Sequence, residues 1–336
     1  MSSLDTFTQS LTSGAADFGI PITDQQLCLF SLHYSLLLTH RTHRLTTITD
    51  PTHAAIKHFL DSLTALLLRD IQPGERIADI GSGAGFPGLV LAVARPHASY
   101  TLIESNLKRA AFLREAITYL GLTNVEVIAD RAETLARDTV VPPLRERGGG
   151  KRACPERSRM GGVPPPLQIH PERSRGAWRG GQGVRTDGSA VRPSPAEGGP
   201  NPRNLRNLRF PPSGRSAVSI TVQHCSSADG RPAPTHRESY DLVIARALAP
   251  LPVLLEYCLP LVRVGGDCLA LKGPGGEAEL ARSHHALTTL GGHLTATRNL
   301  PLPGGMGDRF LILVRKVSPT PDRYPRRPGV AAKRPL

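Results

Sequence analysis

The short run Arg76-Ile77-Ala78-Asp79-Ile80 passes directly into Gly81-Ser82-Gly83-Ala84-Gly85, and then into an apolar stretch from Leu89 to Ala94. A strand that ends in glycines at alternate positions and opens a helix fits few folds. The missing side chains let backbone approach a ligand closely, and the helix N-terminus presents unpaired N–H groups. The same alternation continues downstream. Strands are expected at 100–104, 125–128, 240–244, 268–271 and 310–314, with helices at 108–120, from Ala132, and at 252–261. Gly121 suits a helix stop, and Gly265-Gly266 precedes the fifth strand. Strands alternating with helices predict an α/β fold with a mostly parallel sheet covered on both faces.

The glycine spacing restricts the ligand. A dinucleotide fingerprint wants a third glycine where Phe86 stands. The pattern G-x-G-x-G after an acidic residue suits S-adenosylmethionine better. That molecule has no pyrophosphate, and its ammonium is attracted by a carboxylate such as Asp79. Glu104 ends the second strand, where a carboxylate accepts hydrogen bonds from ribose hydroxyls. Asp130 and Glu133 follow the third strand, where an adenine amino group would lie; strand-end acids are otherwise solvated caps.

Ahead of this unit, residues 4–68 are expected to be helical. Leu27, Phe30, Tyr34 and Leu37 have helical spacing, as do Ile56, Phe59, Leu60, Leu63 and Leu67, with Asp61 and Ser62 keeping the second helix amphipathic. Between the third and fourth strands lies a stretch rich in Pro, Gly, Ser and Arg, with Pro-Glu-Arg-Ser-Arg at 155–159 and again at 171–175. It reads as a disordered surface insertion, with a short strand at 218–222 as the one exception. The expected organisation is an N-terminal helical region (1–72), a catalytic domain (73–138 and 239–316), the insertion (139–238) and a basic C-terminal tail (317–336).

The formal net charge of +13 is unevenly placed. The insertion carries +10 and residues 315–336 carry +6, so the remainder is −3. The tail is therefore better evidence for a polyanionic partner than the total charge. The five cysteines form no CxxC pair and no zinc-spaced cluster, so neither a disulfide scaffold nor a metal site is expected. The N-terminus lacks the basic and apolar regions of a signal peptide, and no apolar run is long enough to span a bilayer. The expectation is a soluble cytoplasmic monomer with no membrane partner.

Two chemistries are disfavoured. Methylation of an exocyclic amine commonly uses an Asn/Asp-Pro-Pro-Tyr motif after the fourth strand, where this chain has Ala245-Arg246-Ala247-Leu248-Ala249. Pyrimidine C5 methylation needs a thiolate, typically in a Pro-Cys context, and no cysteine here ends a strand in that context. Guanine N7 needs neither device, because its lone pair is exposed at neutral pH. Arg246 ends the fourth strand; a guanidinium there binds the cofactor carboxylate, an RNA phosphate or guanine O6, or makes a structural ion pair. His58 reads either as an RNA contact or as a packed histidine. Lys272, ending the fifth strand, faces either RNA phosphate or solvent.

The chain resembles the ribosomal RNA small subunit methyltransferase G family, also called glucose-inhibited division protein B. The matching pieces are Arg44-Leu45-Thr46-Thr47-Ile48, Lys57-His58-Phe59-Leu60-Asp61-Ser62-Leu63, the glycine turn extended by Phe86-Pro87-Gly88, Leu102-Ile103-Glu104-Ser105, Lys108-Arg109, Arg131-Ala132-Glu133, Ala245-Arg246-Ala247 and Leu271-Lys272-Gly273. The tail Tyr324-Pro325-Arg326-Arg327-Pro328-Gly329 and its end at Lys333-Arg334-Pro335-Leu336 also match. The resemblance implies a class I S-adenosylmethionine-dependent methyltransferase (Rossmann-like) that methylates N7 of one guanosine in the 530 loop of 16S rRNA, in free rRNA or in the 30S subunit. It implies cofactor contacts from Gly81, Phe86, the Ala132-Glu133 pair and Arg246. Gly83, Gly85, Asp79, Glu104 and Asp130 are the further cofactor candidates, and His58, Lys272, Arg326, Arg327 and Lys333 the RNA candidates. Arg246 is the catalytic candidate. The alternatives are a methyltransferase acting on a protein or small molecule, and an inactive rRNA-binding scaffold.

Overall fold

The computed structural model describes residues 2–40, 45–137 and 236–336. The insertion up to residue 235, with its repeats and the strand expected at 218–222, lies outside the described residues, as does Arg44. Seven strands form one sheet: β1 (Arg76–Ile80), β2 (Ser99–Ile103), β3 (Val125–Ile128), β4 (Tyr240–Arg246), β5 (Val262–Lys272), β6 (Gly292–Pro301) and β7 (Asp308–Lys316). Their spatial order is β3-β2-β1-β4-β5-β7-β6. The first five in that order run parallel, while β7 pairs antiparallel with both β5 and β6. Chain order reverses between β1 and β4, so the crevice at their carboxyl ends is where such a sheet receives a ligand.

Alternation along the strands divides the core. Ile77, Leu102, Leu242 and Ile244 face one side, covered by α5 (Gly88–Ala94) and α6 (Leu107–Leu120); the N-terminal helix α2 (Asp24–Thr39) packs in turn on α5 and α6, and α1 (Ser3–Asp17) on α2. Ala78, Ile80, Val243 and Ala245 face the other, covered by α8 (Leu251–Cys258) and α10 (His284–Leu290). Asn106 caps α6 by accepting the amides of Lys108 and Arg109, and Gly121 ends that helix at φ +66°.

Several expectations change. The helix expected around Ile56 to Leu67 is a composite: α3 (Pro51–Ala54), a π-helical turn (Ala55–Leu60), α4 (Asp61–Leu63) and a 3-10 turn (Thr64–Leu67). Asp61 and Ser62 do not form its polar face; both are buried. Two arginines reach the Asp61 carboxylate, and Ser62 Oγ donates to the His58 carbonyl at 2.6 Å. Strand β6 was not expected, because it is a mostly exposed edge with little apolar alternation. Gly265-Gly266 lies inside β5, where the register with β4 shifts, rather than before it.

The basic C-terminal segment is docked. Thr320, Tyr324 and Ala331 are buried, and α11 (Val330–Lys333) closes the chain. The insertion also ends earlier than expected. Arg237 donates to the carbonyls of Ala136, Thr320 and Tyr324, and Glu238 accepts from the buried Lys316 ammonium at 3.1 Å and from the Thr320 amide. The bond from Arg237 to Ala136 brings the two flanks of the insertion together at 3.0 Å. Excising residues 140–233 and joining the flanks with a short Gly/Ser linker is therefore expected to leave the melting temperature and cofactor affinity near wild type. An excision that also takes Arg237 and Glu238 should cost roughly 2–4 kcal/mol, since it leaves the buried Lys316 ammonium without its carboxylate, held only by Thr320 Oγ1 and the carbonyls of Leu259 and Val262. Urea unfolding of the two deletion proteins measures the difference.

Candidate active site

Strand β1 delivers the chain into a tight turn at the sheet's carboxyl edge. Gly81, Gly83 and Gly85 have φ of +74°, +58° and +96°, a region costly for any residue with a Cβ. The Gly81 amide donates to the Ile103 carbonyl at 2.8 Å, and Gly85 and Phe86 both donate to Ser82. Ser82 Oγ closes the turn on the Asp79 carbonyl at 3.0 Å. The turn is further held from α2, where His33 Nε2 lies 2.9 Å from the Ala84 carbonyl. Burial lowers the His33 pKa to about 4, so the ring is neutral at physiological pH and donates that bond.

Asp79 sits beneath the turn. It is 1% exposed, and its Oδ2 accepts the Gly88 amide at the start of α5 at 2.9 Å. Its Oδ1 is buried without a hydrogen-bond partner. Burial raises the pKa to about 6, against the opposing Gly88 amide. The folded chain thus holds a proton that the unfolded chain releases near 3.8. The stability contributed by this group is complete below that value and is lost as pH rises through 6. An Asp79→Asn protein should gain on wild type as pH climbs from 4 to 7, by something on the order of 3 kcal/mol in urea unfolding. Binding an ammonium restores the value of the charge. Wild-type cofactor affinity is therefore expected to rise through pH 6, while that of Asp79→Asn stays flat and weak.

Glu104 follows β2 and is also buried. Its Oε2 accepts the Gly83 amide at 2.9 Å and its Oε1 the Asn106 amide at 2.8 Å. One carboxylate therefore ties the glycine turn to the start of α6. Glu104→Ala should weaken cofactor binding by about 1–3 kcal/mol. An unchanged dissociation constant in calorimetry would reduce Glu104 to a local brace.

On the opposite side of the turn, Phe86 is buried in an aromatic cluster. It stacks on His58 at 4.7 Å and on His33 at 5.1 Å, and meets Phe59 edge-on at 5.2 Å. The Arg246 guanidinium lies 5.2 Å over its ring. Arg246 ends β4 and donates through one terminal nitrogen to Asp61 Oδ2 at 3.0 Å and to the carbonyls of Lys57 and His58. Of the roles open to it in the sequence, an ion pair is thus made in this structure. Asp130 and the Ala132-Glu133 pair stand at the end of β3 and in α7 (Ala132–Leu135). Asp130 accepts the Arg131 amide, and Glu133 Oε1 lies 3.4 Å from the Gly329 amide of the C-terminal segment. Glu104 and Asp130 share an edge because β2 and β3 pair in register.

Three RNA candidates are committed elsewhere. Lys272 is buried and its ammonium is spent on the Ala249 carbonyl and on Glu279, each at 2.7 Å. It clamps the loop after β4 to α9 (Gly276–Ala281). Arg326 forks onto the buried Glu256 carboxylate of α8 and so anchors the C-terminal segment. His58 bonds Thr46 Oγ1 at 2.8 Å, and burial together with the Arg246 charge takes its pKa down to about 3, so it is a packed neutral ring. Arg327 and Lys333 do face solvent. Sequence reasoning missed His33, Arg309 and Leu248. Leu248 lies over the glycine turn, 2.7 Å from where a Cβ on Gly81 would stand. No periodic or motif signal marks these positions.

The residues fit S-adenosylmethionine: a turn whose three glycines all have positive φ, a buried acid with one unpartnered oxygen, and a second buried acid at the next strand end. The sheet order, the reversed β7 and this turn define a class I S-adenosylmethionine-dependent methyltransferase. The profile of the family described as rRNA small subunit methyltransferase G matches residues 27–142 and 219–301. The chain belongs to this family. A ribosomal RNA small subunit methyltransferase G from Pelotomaculum thermopropionicum is 34% identical over 334 residues, covering 99% of this chain and 100% of that protein. Those of Symbiobacterium thermophilum and Lactiplantibacillus plantarum are 34% and 32% identical, over 97% and 96% of this chain and 96% and 94% of theirs. Among solved structures, a SAM dependent methyltransferase from Aquifex aeolicus overlaps with a TM-score of 0.40 at 13% identity, over 82% of this chain and 97% of that one. The profile match breaks between residues 142 and 219, within the stretch read as an insertion. No helix among the described residues is long and apolar enough to cross a membrane, and no cluster of metal-binding side chains occurs among them.

Proposed function

We propose that this enzyme transfers a methyl group from S-adenosylmethionine to N7 of guanosine 527 in the 530 loop of 16S rRNA, acting as a cytoplasmic monomer. The observation that carries the reading is the absence, at the end of β4, of any side chain suited to deprotonate an amine or attack a ring carbon. Ala245, Arg246, Ala247 and Leu248 occupy that edge. Guanine N7 asks for neither service, so alignment and exclusion of water supply the acceleration. The cofactor contributes an electrophilic methyl group on a sulfonium. The glycine turn and Glu104 hold its nucleoside part, Asp79 attracts its ammonium, and the Ala132-Glu133 pair and Asp130 flank its base. Phe86 and Arg246 close the side toward the N-terminal helices. Arg246 faces the negative groups of the complex, whether cofactor carboxylate, RNA phosphate or guanine O6. Arg327 and Lys333 offer exposed charge to the phosphate backbone.

The test supplies purified enzyme with methyl-labelled S-adenosylmethionine and, separately, protein-free 16S rRNA and 30S particles lacking the modification. Label entering one guanosine as the N7-methyl base in either substrate supports the reading. Label entering only protein, or a small molecule, favours the alternative acceptor.

A further inference from the structure

Asp61 is a buried carboxylate to which the proposed chemistry gives no task. Its side chain is 3% exposed, and two guanidiniums converge on it. Arg246, from β4, donates to Oδ2 at 3.0 Å; Arg309, from β7, donates to Oδ1 at 2.7 Å. Two guanidiniums thus share one carboxylate beside the Phe86 ring. The helix carrying Asp61 is widened just before it by the π-helical turn Ala55–Leu60, an irregularity often found at functional sites. That turn presents the carbonyls of Lys57 and His58 to the same Arg246 nitrogen, at 3.2 and 3.5 Å. The two hydrogens of that nitrogen are thus taken by a carboxylate and a carbonyl, with the second carbonyl a longer, shared contact, which restricts the direction of the guanidinium. A simple tether between β4 and the helix would need only one of these acceptors.

We infer that Asp61 is a positioning residue for methyl transfer, acting through Arg246, with Arg309 holding the carboxylate from the far side. This rests on the place given to Arg246 under the proposed function. Asp61 touches neither cofactor nor RNA. It aims the Arg246 guanidinium across the face of Phe86 at the edge where the methyl group is transferred.

The test is a double-mutant cycle read in single-turnover methylation of 30S particles, with cofactor affinity and melting temperature measured alongside. The proteins are wild type, Asp61→Asn, Arg246→Lys and the double variant. Asp61→Asn is expected to lower the rate by about 10–100-fold, and to cause no further loss in the Arg246→Lys background. Where Asp61→Asn does not accumulate as folded protein, Asp61→Glu replaces it in the same cycle. It keeps the charge but moves the carboxylate by one methylene, and its loss of rate should likewise vanish in the Arg246→Lys background. A wild-type rate in the Asp61 variant, or losses that multiply in the double variant, would overturn the inference. A wild-type rate in Arg246→Lys overturns the role of Arg246 and the inference with it. A wild-type enzyme that leaves the particles unmethylated removes the functional reading instead.

Discussion

A Gly81→Val protein is expected to fold and to have lost S-adenosylmethionine binding by more than about 100-fold, or roughly 3 kcal/mol. Gly81 has a φ of +74°, where a β-branched residue is strained, and a Cβ there meets Leu248 at 2.7 Å. Leu248 is a flexible, part-exposed side chain and can yield, so the steric cost to the fold is modest. The backbone strain is of order 1–3 kcal/mol and falls on a turn rather than on the core. The ligand has no such freedom, because the valine methyls occupy the cradle. Circular dichroism and calorimetry on the same preparation separate the two effects. Undiminished affinity in a folded Gly81→Val protein would move the cofactor away from this turn.

The second large effect is expected at Arg246. Replacing it with alanine should lower turnover on RNA by about 100-fold, the scale seen when one preorganised charged or hydrogen-bonding group is lost from a reaction site. Stability should fall less than for most broken buried ion pairs, which cost about 3–5 kcal/mol. Asp61 retains its bond from Arg309, so it is not left without a partner. The Phe86 face and the Lys57 carbonyl lose the guanidinium, while the His58 carbonyl keeps the Ser62 hydroxyl. Steady-state kinetics with a melting curve distinguishes the roles. A melting temperature that falls while turnover and both affinities hold would make Arg246 a structural residue only.

The glycine turn and the carboxylates around it were legible in the sequence because their chemistry is local. A strand, a run of backbone and a helix start lie within ten residues, and Glu104 ends the next strand. The misreadings have a common physical cause, which is a partner distant in sequence. Asp61 looked like the polar face of an amphipathic helix, but its partners are 185 and 248 residues away. Lys272 and Arg326 looked like free cations ready for phosphate. Each is neutralised by a glutamate, Glu279 and Glu256, on a helix that tertiary packing brings alongside. The π-helical turn has no sequence signature of its own, since its apolar residues obey ordinary helical spacing. The edge strand β6 escaped because exposure on a sheet edge removes the alternation by which strands are found. Arg237 and Glu238 were absorbed into the insertion by composition alone, although both are built into the fold.

The central claim concerns one atom of one base, and it is tested most directly by mapping N7-methylguanosine along 16S rRNA from cells with and without this gene. The account predicts a single modified guanosine in the 530 loop that disappears with the gene and returns with the wild-type gene but not with Gly81→Val. An unchanged modification pattern in the absence of the gene would contradict it.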